Sequence, residues 1–322
     1  MTHPRLSHRP MLYMVGAMVA LAVFAAIGMV VDDRVLLGES VWLKPFKFAV
    51  AFTVYGLTLA WLLSLPHRGA RVTWWFGLVF AVTAAIDVGF IVLQAARGTF
   101  SHFDKAGDPV NSIGQQVFAA GVPGLFIANL VIALIISWQQ VADRPISRAI
   151  KAGLGIAVAG MFLGYLMGFT GKRIERDANG NLVQLAGGHT KFANGPEPGR
   201  YDGLPITHWS TVAGDLRVPH FLGLHGIQAL LLAALVLSRL ASRVPWLREE
   251  RTRARIVGVL ACGYAGVVAI TLWQALRAQS LIHPDATTLA ACGALGALVL
   301  VCLTAIAVRA HSAQTLRLAG QF

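Results

Sequence analysis

Eight separate apolar runs, near 11–31, 41–65, 73–96, 113–138, 152–170, 217–240, 256–279 and 288–308, constrain this chain more than any other feature. At about 1.5 Å of rise per residue, a helix of some 20 residues crosses a hydrocarbon core of roughly 30 Å. Backbone polar groups in that core must be satisfied within the segment, which leaves helices as the way to cross. The expected fold class is all-α: a polytopic transmembrane helix bundle of about eight helices, forming one integral membrane domain over residues 1–322. Charged residues make up 13% of the chain, against roughly 25% in soluble domains. The rival count is seven helices, with the first cleaved or an end helix re-entrant. The first apolar run is too long for a cleaved signal, and no Ala-x-Ala precedes Asp32, so it reads as a retained helix.

The net charge of +12 fits a membrane reading. No basic segment stands apart with interleaved aromatics, so nucleic acid is not an expected partner. Lys and Arg gather in alternate connections, around Arg68–Arg71, Arg144–Lys151 and Arg239–Arg255, and near both termini with Arg5 and Arg317. The positive-inside bias then places both termini in the cytoplasm of a bacterial inner membrane. The three cysteines, Cys262, Cys292 and Cys302, fall in apolar runs without a CxxC pair and read as small core residues.

Residues 171–216 form the one long connection, expected to be a periplasmic loop and lid. Within it, Arg173–Leu185 has the pattern of a β-hairpin turning at Asn179-Gly180. Asp177-x-Asn179-Gly-Asn181 has a calcium-loop spacing but lacks the bidentate glutamate downstream. A Gly/Pro-rich segment follows at 194–199. Pro123 is expected to kink the fourth helix. Gly160, Gly164 and Gly168 recur every fourth residue, the spacing of a groove for close helix approach.

The polar residues inside the runs concentrate in one half of the membrane. Counting from the expected outer surface, Lys47 lies about 9 Å deep with Lys44 one turn above it, and Asp87 about 14 Å deep. On the sixth helix His220 lies about 5 Å, His225 about 12 Å and Gln228 about 16 Å down; with Arg217 they span an arc of about 140°. Trp273 and Arg277 reach the same level. Packing alone offers plainer roles, with Lys47 and Asp87 neutralising each other, Lys44 snorkelling to the headgroups and His225 hydrogen-bonded in the core. Taken together, an acid, a base and imidazoles at one depth exceed what packing needs.

The expectation is a periplasm-facing Lys/Asp/His cavity. Asp87, Lys47 and His225 are its candidate catalytic residues. Arg217, Gln228, Lys44 and Arg277 are candidates to hold a cofactor or ligand, and His220, His225 and His102 are candidate metal ligands. A His-ligated metal, or haem b, supporting redox or hydrolytic chemistry is the first reading. No HExxH motif is present, and His220 and His225 are five apart, not four. A proton-coupled small-solute transporter and a non-catalytic membrane subunit or sensor are the alternatives. Expected partners are the lipid bilayer, a small polar, anionic or lipidic ligand, and membrane subunits or further copies of the chain.

Three stretches carry a resemblance. Trp42-Leu-Lys-Pro-Phe-Lys-Phe48, Arg97-Gly-Thr-Phe-Ser-His-Phe103 and Gly214-Asp-Leu-Arg-x-Pro-His-Phe-x-Gly-Leu-His-x-x-Gln228 resemble a pattern in uncharacterised bacterial multi-pass membrane proteins. They lie in the second helix, the loop after the third and the long loop into the sixth, parts that together make up about a third of the chain. Position 104 is Asp where that pattern carries Asn. The resemblance implies a bacterial multi-pass protein and directs attention to Lys44, Lys47, His102, Asp215, Arg217, His220, His225 and Gln228. It implies no reaction, cofactor or substrate.

Overall fold

The computed structural model describes residues 8–193 and 202–319. The Gly/Pro-rich segment at 194–199 and Arg5 lie outside the described residues, as does the side chain of Arg317. Nine helices occur among them: α1 (Arg9–Val31), α2 (Leu43–Ser64), α3 (Ala70–Ala96), α4 (Pro109–Ser137), α5 (Arg144–Gly164), α6 (Arg217–Leu224), α7 (Gly226–Leu240), α8 (Glu250–Leu276) and α9 (Ala286–Ala319). Seven spans are long and apolar enough to cross a membrane. The sixth expected helix is not continuous: α6 and α7 meet at His225 with a 45° bend and together make an eighth candidate span. The protein is thus an α-helical, multi-pass membrane protein.

Capping explains why several helices start before their apolar runs. Asp108 accepts from Asn111 N at 3.0 Å ahead of Pro109, and Asp143 accepts from Ile146 N at 3.1 Å ahead of Pro145. A side-chain acceptor at the N-cap satisfies an orphan amide, and proline fits the first helical turn. Arg144, Arg148 and Lys151, expected in a turn, therefore form the first two turns of α5. At α1, His8 accepts from Met11 N at 3.1 Å through Nδ1, and its Nε2 donates to Trp74 O at 2.9 Å. Pro123 sits inside α4, which runs unbroken from Pro109 to Ser137.

Glycines set the closest helix contacts. On α4, a Cβ at Gly114, Gly121 or Gly124 would strike Phe90, Asp87 or Thr83 of α3, three residues on one face of that helix. On α5, a Cβ at Gly160 would lie 2.5 Å from Leu224 N, and Gly164 lies under the His220 ring. The expected stripe thus works at Gly160 and Gly164. Gly168 falls beyond α5, in the 3₁₀ turn Tyr165–Phe169, with Phe103 no nearer than 4.0 Å. The main core joins α1–α5, α7 and α8, with Leu59, Phe80, Ile132, Ile150, Leu154 and Ile227 fully buried. Helix α9 packs on α8 and on the turn Pro245–Leu247.

Alternate connections gather at opposite ends of the bundle. At one end, Arg68 N donates to Gln139 Oε1 at 2.6 Å and Arg144 N to Glu250 Oε2 at 3.4 Å, joining three short connections. The other end carries three two-stranded antiparallel sheets: β1 (Val35–Leu36) with β2 (Glu39–Ser40), β3 (Arg173–Arg176) with β4 (Leu182–Leu185), and β5 (Thr190–Lys191) with β6 (Gly214–Asp215). These interlock with the α3–α4 and α8–α9 connections. Ala178 N donates to Gly98 O at 2.9 Å, Lys105 N to Gln184 O at 2.9 Å, and Ser280 Oγ to Ser210 O at 3.3 Å. This loop-rich end places the candidate site.

Candidate functional site

The hairpin β1–β2 turns at Leu37-Gly38, both with positive φ (53° and 79°), and delivers Glu39 to the mouth of α2. There Glu39 Oε2 accepts from Lys47 Nζ at 2.9 Å and lies 3.9 Å from His208 Nδ1. Lys47 Nζ also donates to Thr207 O at 3.4 Å, and His208 Nε2 to Leu37 O at 3.2 Å. The long connection is thereby pinned over the start of α2.

A second carboxylate anchors the other side. Asp215 is 2% exposed and accepts from Ser210 N and Arg217 N, each at 2.9 Å. The Arg217 guanidinium grips it through Nε and Nη2, the latter at 2.7 Å, and also donates to His208 O. His189 Nδ1 stands 3.9 Å from Asp215 Oδ2 and in contact with Thr190 Oγ1 at 2.9 Å. Burial holds the His189 imidazole well below its ordinary pKa, with Arg217, Arg173, Lys44 and Lys47 adding to the effect.

Lys44 lies one turn before Lys47 on α2. Its Nζ is 3.0 Å from His102 Nδ1, which also meets Ser101 Oγ at 3.0 Å. Against a protonated Lys44, which can only donate, Nδ1 would accept and Nε2 would carry the ring proton. Burial pushes His102 well below its usual pKa, and the charges of Lys44 and His220 push the same way. Lys44, Lys47, Arg217, Glu39 and Asp215 are close enough to act on one another's charge. Glu39 pairs with Lys47 and Asp215 with Arg217; among the described residues Lys44 has no carboxylate partner. An open cleft is lined by Glu39, Leu43, Gly203 and His208.

The backbone around the cluster is strained. Leu37, Phe103, Ile206 and His208 all take positive φ, between 53° and 67°. That region is rarely open to a side-chain-bearing residue, least of all a β-branched one such as Ile206, and costs on the order of 1–3 kcal/mol each. Four such residues show that tertiary contacts, not local preference, fix these connections.

Of the residues singled out from sequence, the structure brings Lys44, Lys47, Arg217 and His102 together. His220 stands beside the group, close enough to act on His102, and its Nδ1 donates to Gly160 O at 2.7 Å, over the α5 glycines. His225 occupies the bend between α6 and α7, and Tyr264 OH caps the neighbouring Leu222 O at 2.7 Å. Gln228 Nε2 donates to Thr58 Oγ1 at 3.1 Å, across to α2. Arg217, His220 and Gln228 thus make their polar contacts with the 208–215 segment, α5 and α2, while His225 is close enough to act on the charge of His220. Arg277 pairs with Asp285 and stacks on Trp273 at 4.4 Å, with Thr287 and Thr288 as its other partners. Lys47 and Asp87 do not pair: Lys47 meets Glu39, and both Asp87 oxygens lack a hydrogen-bond partner. Among the described residues no group of three or more His, Cys, Asp or Glu is arranged to hold a metal ion.

Glu39, His189 and Ser101 are the cluster residues that sequence reasoning passed over. Glu39 carried a readable signal, since it directly follows a Leu-Gly turn at the mouth of a helix bearing two lysines. No family model, curated protein or solved structure matches the chain.

Proposed function

We propose that this multi-pass membrane protein captures a small anionic ligand, a carboxylate or a phosphate, at the loop-rich end of its bundle. The observation that carries the reading is the unmatched Lys44. Lys47 and Arg217 each have a carboxylate partner, whereas Lys44 faces an imidazole rather than an acid. A bound anion would supply the missing counter-charge, with the His102 imidazole beside it as a proton-exchanging neighbour. The strained segments around Leu37 and His208 would act as the lid. The connections at this end are the poorer in Lys and Arg, so in a bacterial inner membrane the site faces the periplasm.

The test is thermal unfolding of detergent-purified protein titrated with inorganic phosphate and with a short dicarboxylate. We expect a saturable rise in Tm with one of them, weakened at least tenfold in Lys44→Gln and kept in Gln139→Ala at the opposite end. No response to either anion, or an equal response in Lys44→Gln, overturns the reading.

A second reading rests on His220. With Nδ1 donating to Gly160 O, its Nε2 carries the free lone pair, the arrangement by which an outer partner fixes a ligating imidazole. This favours a single His-ligated metal or haem near the same end. An absorption spectrum with elemental analysis, repeated on His220→Ala, tests it: a Soret band or near-equimolar metal lost in the variant supports it, and a colourless, metal-free protein rejects it.

A further inference from the structure

Asp87 takes no part in the cluster above. It lies on α3, about 14 Å of helix below Ala96, is 3% exposed, and neither carboxyl oxygen has a hydrogen-bond partner. It sits in a notch of α4, where a Cβ built on Gly121 would come within 2.0 Å of Oδ1. The carboxyl therefore rests directly on the Gly121 backbone, with no room between for water.

Among the described residues, no counter-charge approaches from α1, α2 or α4, the helices that pack most closely on α3. Helix α4 contains no titratable side chain. On α1 only Arg9 and Tyr13 titrate, near the far end where His8 meets Trp74. On α2, Lys47 is bound to Glu39, Lys44 contacts His102, and the Tyr55 hydroxyl donates to Asn129 Oδ1. An unpaired ionised carboxylate in such a place is far costlier than the neutral acid. Two residues beyond Gly121, Pro123 withholds the amide that would bind the Ala119 carbonyl, which weakens α4 at this level.

We propose that Asp87 is a proton-binding site within the bilayer, holding its proton while α3 and α4 are in contact at Gly121 and releasing it when they part. Such a site gives the protein a proton to exchange, whatever ligand the loop-rich end takes.

Infrared difference spectroscopy of the full-length protein in lipid vesicles near neutral pH, wild type against Asp87→Asn, decides it. The expected result is a protonated-carboxyl C=O band, shifted in D2O and absent from the variant, with Tm unchanged because Asn is a neutral isostere. A carboxylate band in its place, or a Tm lowered by loss of a hidden charge partner, overturns the proposal. Gly121→Ala tests the gate: forcing the helices apart should replace the neutral-acid band with a carboxylate band. An unchanged band there removes the gating clause.

Discussion

Two Asp-x-Arg motifs at the loop-rich end are nearly superimposable in their bonding and differ in everything around them. Asp32 and Arg34 follow α1; Asp215 and Arg217 precede α6. In both, the arginine amide bonds Oδ1 (3.1 and 2.9 Å), Nε bonds Oδ1 at 3.0 Å, and Nη2 bonds Oδ2 at 2.7 Å. In both, the guanidinium also reaches a distant carbonyl, Ala96 O or His208 O. Yet the side chains of Arg34 and Asp32 are 34% and 19% exposed, and those of Arg217 and Asp215 are 12% and 1%. The first motif is a solvated tie, with Arg34 and the Trp42 indole holding Asp32 well below the usual carboxylate range. The second fixes the 208–217 segment beside Lys47. The same local chemistry acquires its weight from burial.

The sharpest way to break this comparison is to remove one charge from each motif. Asp215→Asn should cost about 3–5 kcal/mol, because a buried guanidinium is left uncompensated, and should loosen the lid enough for protease to cut the 171–216 connection. Asp32→Asn should cost about 1 kcal/mol, as an exposed pair does. Equal losses in chemical unfolding would show that burial is not the deciding term.

Glycines on one helix offer a second contrast. Gly160→Ala should cost about 1–3 kcal/mol by overpacking against the Leu224 amide and should displace His220. Gly155 has nothing within 4 Å of an added Cβ, so Gly155→Ala should stabilise by about 0.5–1 kcal/mol. Thermal melts of the two variants should move in opposite directions.

The imidazoles supply a pH test. His102 and His189 have pKa values lowered by folding, so below 6.5 the unfolded chain binds protons that the folded one refuses. Stability should fall as pH drops through that value, by about 1.4 kcal/mol per pH unit for each imidazole. His102→Gln with His189→Gln should flatten the profile between about pH 6.5 and 5.5. Asp104, raised by burial, acts in the opposite sense only nearer the carboxylate range. The smallest effect belongs to the plain end of the bundle, where Gln139→Ala removes exposed bonds to Arg68 and should cost under about 1 kcal/mol.

Much of the fold was legible in the sequence because its causes are local. Hydropathy over some 20 residues marks a span wherever it occurs, although the helix starts set by Asp108 and Asp143 lie several residues ahead of the apolar runs and were missed. Depth along each helix follows from residue counting, which is why Lys44 and Lys47 stand out without any knowledge of what they touch. The bend at His225 was not legible. Phe221–Leu237 reads as a continuous apolar helix interrupted only by His225 and Gln228, and the close crossing of α5 and the Tyr264 cap hold the break in place.

What only the tertiary structure decided is which side chain faces which. Depth leaves helix rotation and neighbour order open, and the deciding contacts join residues 58, 60 and 170 positions apart: Lys44 to His102, His220 to Gly160, Gln228 to Thr58. Residue counting puts Lys47 and Asp87 toward the same end of their helices, yet a two-stranded hairpin hands Glu39 to the lysine and a glycine notch isolates the aspartate. Composition and period determined that this chain crosses a membrane many times with its polar groups near one face. The pairing of those groups was set by packing, because an ion pair needs two side chains within a few ångströms and helical period alone fixes neither partner.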